Sequence, residues 1–355
     1  MAALPSLCNS PPPMESQGKK GADPRPPSNF TDLISTLPLE EGWAPLRIRK
    51  YQGFWIPERV LQGIMDMQQN FKARPDDLFV LSYPKSGTTW LKALTYAIMT
   101  RTQYPLDHHP LLRQNPHEFV PIMGITYAKG EASELEAMSS PRILNTHLPY
   151  SLLPHAIKSL GCKLIYVCRD PKDVLVSRFH YNNRMRPQAM EPIPFTKAFE
   201  MFCEGNCPYG PIWEHVLEYW EESQRRPEKV LFLKYEEMLG DPPRIVKRLA
   251  EFMGCPFSPE EEKEGVVEEI IKLCSFDKMK SLEVNKTGKL RPDFVLTNDS
   301  FFRKGGAGDW RNHMSPEMAR KLDRITEQKF EGSGLTLDAV DVEAAATNGD
   351  VQAQA

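Results

Sequence analysis

Lys85, Ser86, Gly87, Thr88, Thr89 and Trp90, in the stretch Tyr83-Pro-Lys-Ser-Gly-Thr-Thr-Trp90, have the types and spacing of an anion-binding loop. Gly87 permits close backbone approach, and the amides from Ser86 to Trp90 would point from a helix N-terminus toward an anion. Thr88 and Thr89 add hydroxyl donors, and Lys85 adds a positive charge. The common ATP-binding loop reads G-x-x-x-x-G-K-[ST], with the lysine after the glycines. Here Lys85 precedes Gly87, and no glycine opens the loop. An ordinary capped helix start is the competing reading.

Three other stretches carry groups of related chemistry. In "VCRDPKDVLVS", Arg169 offers a planar fork to a second phosphate, and Ser177, eight residues later, could reach the same group from the next helix. A surface salt bridge between Arg169 and Asp170 is the alternative. In "FFRKGGAGDW", Arg303 and Lys304 stand beside Gly305, Gly306 and Gly308, a basic loop that could fold over a phosphate or be a plain turn. In "RILNTHLPYSLLP", His147 is either a structural residue or, with an ordinary pKa of about 6.5, the base for a hydroxyl. Cys203 and Cys207 have no second pair at zinc spacing, so a metal is not expected.

The elements that must position these groups follow from three apolar runs: "DLFVLSY" (77–83), "KLIYVC" (163–168) and "KVLFLKY" (229–235). Each is followed by a helix-like segment, the pattern of a parallel sheet in an α/β domain. "TTWLKALTYAIMT" is nearly apolar all round and is expected to be a buried helix. Asp170 with Pro171, and Asp241 with Pro242, read as helix starts, and Gly254 as a stop. Ligands of open α/β sheets bind beyond the carboxyl ends of the strands, where Lys85, Arg169 and Tyr235 would all lie.

The whole chain bounds the partners. It has 355 residues, 41% hydrophobic, with a net charge of -3, which makes no overall electrostatic case for nucleic acid. No apolar run approaches the roughly 20 residues that span a bilayer, and the start lacks a secretory apolar core, so an intracellular, non-membrane protein is expected. Seven cysteines suit a reducing compartment. Residues 1–35 read as a disordered Pro-rich leader, 40–335 as one domain with a phosphate loop, and 336–355 as a flexible acidic tail.

"YPKSGTTW", "THLPY", "CRDPKDVLVSRFHY", "KYEEM", "CSFDKM" and "RKGGAGDWRNHMS", in this order, resemble the soluble sulfotransferases, and most the plant cytosolic branch. The likeness covers roughly residues 40–335. It implies 3′-phosphoadenosine 5′-phosphosulfate (PAPS) as donor, a small hydroxylated acceptor and no metal. By resemblance, Lys85 to Trp90 hold the 5′-phosphosulfate. Arg169, Ser177 and the loop of Arg303, Lys304 and Gly305 hold the 3′-phosphate. Trp90 and Phe276 sandwich the adenine, and Tyr235 meets the base edge. The resemblance further implies in-line transfer with His147 as base, Lys85 meeting charge on the departing oxygen, and Ser177 restraining Lys85 until the acceptor arrives.

Two positions depart from the family pattern. Asn145 stands where many animal relatives have a second lysine, and Arg311 follows Trp310 where lysine is frequent. The dimer-forming Lys-Thr-Val segment of animal members is not visible after Trp310, so monomer or weak dimer is left undecided. Flavonols, steroids, hydroxylated jasmonates and desulfo-glucosinolates all stay open as acceptors. The rival readings are a P-loop kinase, which would need a Walker lysine and a Mg²⁺ carboxylate, and a nucleotide-binding relative that has lost catalysis.

Overall fold

Four strands lie parallel in the order β5-β4-β6-β7, and their carboxyl ends lead to Lys85, His147, Arg169 and Tyr235. The structure is a computed structural model that describes residues 30–43, 45–290 and 297–337. In chain order the strands are β1 (Leu39–Trp43), β2 (Leu46–Tyr51), β3 (Phe54–Pro57), β4 (Leu78–Ser82), β5 (Ile143–Thr146), β6 (Lys163–Cys168) and β7 (Val230–Lys234). Thus β4, β6 and β7 are the three apolar runs. The expected α/β class holds.

Two pieces of the sheet architecture were not anticipated. β5 contains only Ile143 and Leu144 as apolar residues before Asn145 and Thr146, so it presents no continuous apolar run, yet all four side chains are buried. β1, β2 and β3 form a separate antiparallel sheet. The alternation of "LRIRKY" in β2 was a legible signal for it, since Leu46 and Ile48 are buried while Arg47 and Arg49 are not. A two-residue turn, Gln52 (φ 47°) and Gly53 (φ 92°), joins β2 to β3.

Both faces of the parallel sheet are covered. Alternate residues of each strand enter opposite cores: Phe79, Leu81, Tyr166 and Phe232 on one face, Val80, Ile165, Val167 and Leu233 on the other. The first face packs against helices Glu58–Asn70, Pro171–Met185 and Ile212–Arg225, the second against Thr88–Thr100, Pro242–Met253 and Val266–Cys274. Helix Thr88–Thr100 is buried almost all round, as its sequence implies, including Lys92. Asp170 and Asp241 accept from Lys172 and Arg244 amides as caps, and Gly254 closes its helix with φ 84°. Helix Thr31–Thr36 occupies the end of the expected leader, whose residues 1–29 lie outside the described ones, as does the tail from 338.

Register makes the strand exits neighbours. Leu78 pairs with Ile143 on one side and Lys163 on the other, and Leu164 pairs with Val230, so all four strands end at about one level. Successive exits are then separated by only about 4.8 Å. At the opposite end, a buried pair fastens β4 to β5: Arg142 donates from Nε and Nη2 to the two Asp77 oxygens at 2.7 and 2.6 Å. The same guanidinium donates to the Leu135 and Lys72 carbonyls, and Asp77 also accepts from the Arg74 amide.

Because truncating one partner strands the other charge in the core, Arg142→Ala should cost about 3–5 kcal/mol of folding stability, measured by denaturant unfolding. A loss of about 1 kcal/mol or less, the range of an exposed pair, would contradict this role.

Candidate active site

The loop after β4 is built by backbone that the sequence only partly announces. Gly87 has φ 110°, and an added Cβ would lie 2.6 Å from Cδ2 of Tyr235. Lys85 also sits in the left-handed region, with φ 76°, a conformation that costs a non-glycine residue about 1 kcal/mol or more. The Ser86 amide closes the turn on the Tyr83 carbonyl at 3.2 Å. Helix Thr88–Thr100 has no side-chain cap, so its first-turn N–H groups are available to a ligand. Ser82 and Thr88 share a hydroxyl hydrogen bond, while the buried Ser86 Oγ has no partner among the described residues.

Lys85 has no carboxylate of its own among the described residues. Its ammonium lies 4.1 Å from the Tyr181 ring centroid. Burial, and then the positive charges of Arg178, Arg169, Arg303 and Arg184, lower its pKa to about 7. Such an excess of cations is the electrostatic complement of a polyanion.

His147 leaves β5 beside this loop. A carbonyl can only accept, so the 2.9 Å contact with the Ser82 oxygen puts the proton on Nδ1 and leaves the Nε2 lone pair free. His215 fixes the backbone behind it: its Nε2–H donates to the His147 carbonyl at 3.0 Å, and the Tyr166 hydroxyl donates to its Nδ1 at 2.9 Å. Tyr219 donates to the Leu148 carbonyl at 2.7 Å. Burial lowers the His147 pKa to about 3; Lys92, Arg178 and His215 push the same way, and the Ser82 hydrogen bond opposes them.

The β6 exit and the glycine loop form one unit. Arg169 donates to the Gly306 carbonyl at 2.7 Å, pairs with Asp173 at 3.4 Å and stacks over Tyr235 at 4.5 Å. Asp173 in turn accepts the amides of Gly308 (2.7 Å) and Trp310 (3.1 Å). Arg303 and Lys304 both reach Asp309, the latter at 3.7 Å. Tyr235, at the β7 exit, donates its hydroxyl to the Gly305 carbonyl at 2.9 Å and meets Trp90 edge-on at 5.8 Å. Gly305, with φ 77°, lies so close to Phe276 that a Cβ would fall 2.2 Å from its ring. Nε atoms of Arg169 and Arg303 are buried without partners among the described residues.

A single cavity of 1330 Å³ collects these groups. Lys85, Gly87, Thr88, Thr89, Trp90, His147, Arg169, Ser177, Tyr235, Phe276, Arg303, Lys304 and Gly305 line it; Ser86 lies beneath its floor. His117 and Tyr209 also line it, as do Arg178 and Tyr181, which sequence reasoning did not single out. His117 bridges Thr89 (3.2 Å) and the buried ammonium of Lys92 (2.9 Å), which also donates to the Val120 carbonyl. Only the burial of an otherwise continuous apolar helix around Lys92 hinted at that bridge.

The two departures have specific environments. Asn145 is fully buried, donates to the Val80 carbonyl at 2.6 Å and leaves its Oδ1 without a partner. Its amide is thereby engaged by the sheet. Arg311 lies over Trp310 at 4.6 Å. Cys207 is buried against the Tyr83 hydroxyl at 3.0 Å, and no metal-competent group of three or more His, Cys, Asp or Glu occurs among the described residues.

The family model for the sulfotransferase domain matches residues 75–334. The chain belongs to the sulfotransferase family. It is 45% identical over 310 residues to cytosolic sulfotransferase 17 of Arabidopsis thaliana, covering 86% of this chain and 90% of that one. With flavonol 4′-sulfotransferase of Flaveria chlorifolia the identity is 46% over 292 residues, 82% and 91% of the two chains. A mouse sulfotransferase crystallised with PAP, the donor without its sulfonate, superposes with a TM-score of 0.62 at 29% identity, covering 85% of this chain and 98% of that one.

This sulfotransferase is therefore a PAPS-dependent enzyme that transfers a sulfonate group to the hydroxyl of an acceptor, and the kinase alternative is set aside. Its residues fit the donor on structural grounds alone. An uncapped helix N-terminus at Thr88 and the cations Lys85, Arg169 and Arg303, all facing one cavity, suit anionic groups.

Lys85 yields a titration test. Below about pH 7 it is already charged; above, an arriving anion raises its pKa, so PAP binding must take up a proton and weaken as pH rises. Calorimetry at pH 8 in buffers of different ionisation enthalpy should register that uptake, and Lys85→Met should remove it. Binding without proton uptake in the native protein would contradict the lowered pKa.

Proposed function

We propose that the residues gathered here divide the reaction as follows. Lys85, Ser86, Gly87, Thr88, Thr89 and Trp90 hold the 5′-phosphosulfate, and Arg169, Ser177, Arg303, Lys304 and Gly305 hold the 3′-phosphate. Trp90 and Phe276 flank the adenine, with Tyr235 beneath the loop that closes on it. PAPS supplies the sulfonate and a phosphate leaving group. The acceptor occupies the remaining, more apolar part of the cavity, where Val60, Pro121, Ile122, Ile125 and Met185 line the wall.

One observation carries this reading: adjacent strands β4 and β5 deliver Lys85 and the free Nε2 of His147 into the same cavity, with the tautomer of His147 fixed by Ser82. Nε2 takes the proton of the acceptor hydroxyl as its oxygen attacks sulfur, because the neutral hydroxyl is a poor nucleophile. Lys85 meets the negative charge that develops on the departing oxygen. The low pKa of His147 belongs to the empty site. Burial is the main cause of that depression, and bound anions would offset the smaller contribution of the Lys92 and Arg178 fields, so its basicity rises when the donor is in place.

The helix amides and cations neutralise the donor, so no divalent ion is needed. The flavonol named for one relative supports a small hydroxylated acceptor, phenolic ones included, and the cytosolic designation of another supports the cytosol for this chain.

Purified protein with labelled PAPS and phenolic acceptors in EDTA should form sulfated product. His147→Ala should lower kcat by about 10²–10⁴-fold while leaving the PAP dissociation constant within about twofold, since the base acts in the transition state. A variant retaining most of the native rate would overturn the base assignment.

A further inference from the structure

Arg178 follows Ser177 on helix Pro171–Met185, and its side chain is only 4% exposed. Its Nε has no partner, and no ion pair or hydrogen bond of its guanidinium occurs among the described residues. The neighbouring arginines differ: Arg169 has Asp173, Arg184 has Asp299 at 2.8 Å, and Arg303 has Asp309. A buried guanidinium without a counter-charge is costly to keep, so its partner is expected to arrive from outside the chain.

Its position indicates which ligand brings that partner. Arg178 lines the cavity, and its charge acts on Lys85 and His147 and also on Tyr181 and Tyr209. Tyr209 stands against the His147 ring at a centroid separation of 5.7 Å. The donor's two anionic groups are already matched by Lys85, Arg169, the glycine loop and the helix amides. Arg59, exposed at the cavity mouth, adds a second charge of the same sign acting on Tyr181 and Tyr209.

We propose that the acceptor is a hydroxy acid: a molecule that presents its hydroxyl to His147 and a carboxylate, on the same skeleton, to Arg178. The proposal rests on the sulfonate-transfer reading above and narrows its acceptor class. A planar carboxylate matches the guanidinium fork with two parallel hydrogen bonds. The apolar wall formed by Ile122, Ile125 and Met185 receives the carbon skeleton between the two polar ends.

The test compares 3-(4-hydroxyphenyl)propanoate and ω-hydroxydodecanoate with their methyl esters, and with the neutral phenol 2-naphthol, all with labelled PAPS. Native enzyme should favour acid over ester in kcat/KM by about tenfold or more, the scale of a charged hydrogen bond. Arg178→Gln should collapse that ratio toward one and Arg178→Lys restore part of it, with PAP binding confirming that each variant is folded. The native ratio stands as a test even if a variant fails to fold. Esters turned over as well as acids, or Arg178→Gln slowing both equally, would overturn the proposal and leave sulfonate transfer intact; the second result would reassign Arg178 to the moving sulfonate. Transfer to none of the acids, esters or naphthol would overturn the transfer reading itself.

Discussion

The hydrogen bond from His147 Nδ1 to the Ser82 carbonyl ties the end of β5 to the end of β4. It joins the residue that would take a proton to the strand that launches the anion loop. Its strength need not exceed about 1 kcal/mol to matter, because its geometry decides which ring nitrogen is left with a lone pair. Everything behind it serves that geometry. The Arg142–Asp77 pair fastens the same two strands at their other ends, and His215, held by Tyr166, secures the carbonyl of His147 itself.

The second constraint is electrostatic. Lys85, Arg169, Arg178 and Arg303 are brought near one another with fewer carboxylates than cations, and this repulsion adds to burial in lowering the pKa of Lys85. Stability alone would not assemble such a group. On the proposed reading, the cost at Lys85, Arg169 and Arg303 is offset when the donor's anionic groups enter and that at Arg178 when the acceptor's carboxylate does, so ligand binding and the ionisation state of the site are linked. Asp173 ties this assembly together: one carboxylate holds Arg169 and two amides of the glycine loop, linking the β6 exit to the loop.

How much of this was legible depended on the kind of signal. Gly87, the two threonines and the strand-helix punctuation announced the anion loop because each is a local requirement of backbone or capping. β6 and β7 were legible as continuous apolar runs. β5 was not, because Asn145 and Thr146 interrupt it and its burial comes from neighbours far along the chain. The left-handed Lys85 was equally hidden, since nothing about lysine predicts φ 76°. Arg178 sat in a quoted motif and went unremarked. An arginine in sequence says nothing about whether a carboxylate will meet it, and that is a purely tertiary fact. Nor does the sequence show that the amide of Asn145 is held by the β4 backbone.

The central claim is that the fold presents a neutral, Nδ1-protonated His147 with a free Nε2 toward the transferring group. Nitrogen-15 NMR of the histidine rings tests it most directly, with His147→Gln used to assign the signal. The account predicts the Nδ1–H tautomer for His147 in the empty enzyme, without conversion to imidazolium as pH falls from 8 to 5, in keeping with a pKa of about 3. An Nε2–H tautomer, or a titration centred near the ordinary value of about 6.5, would contradict it.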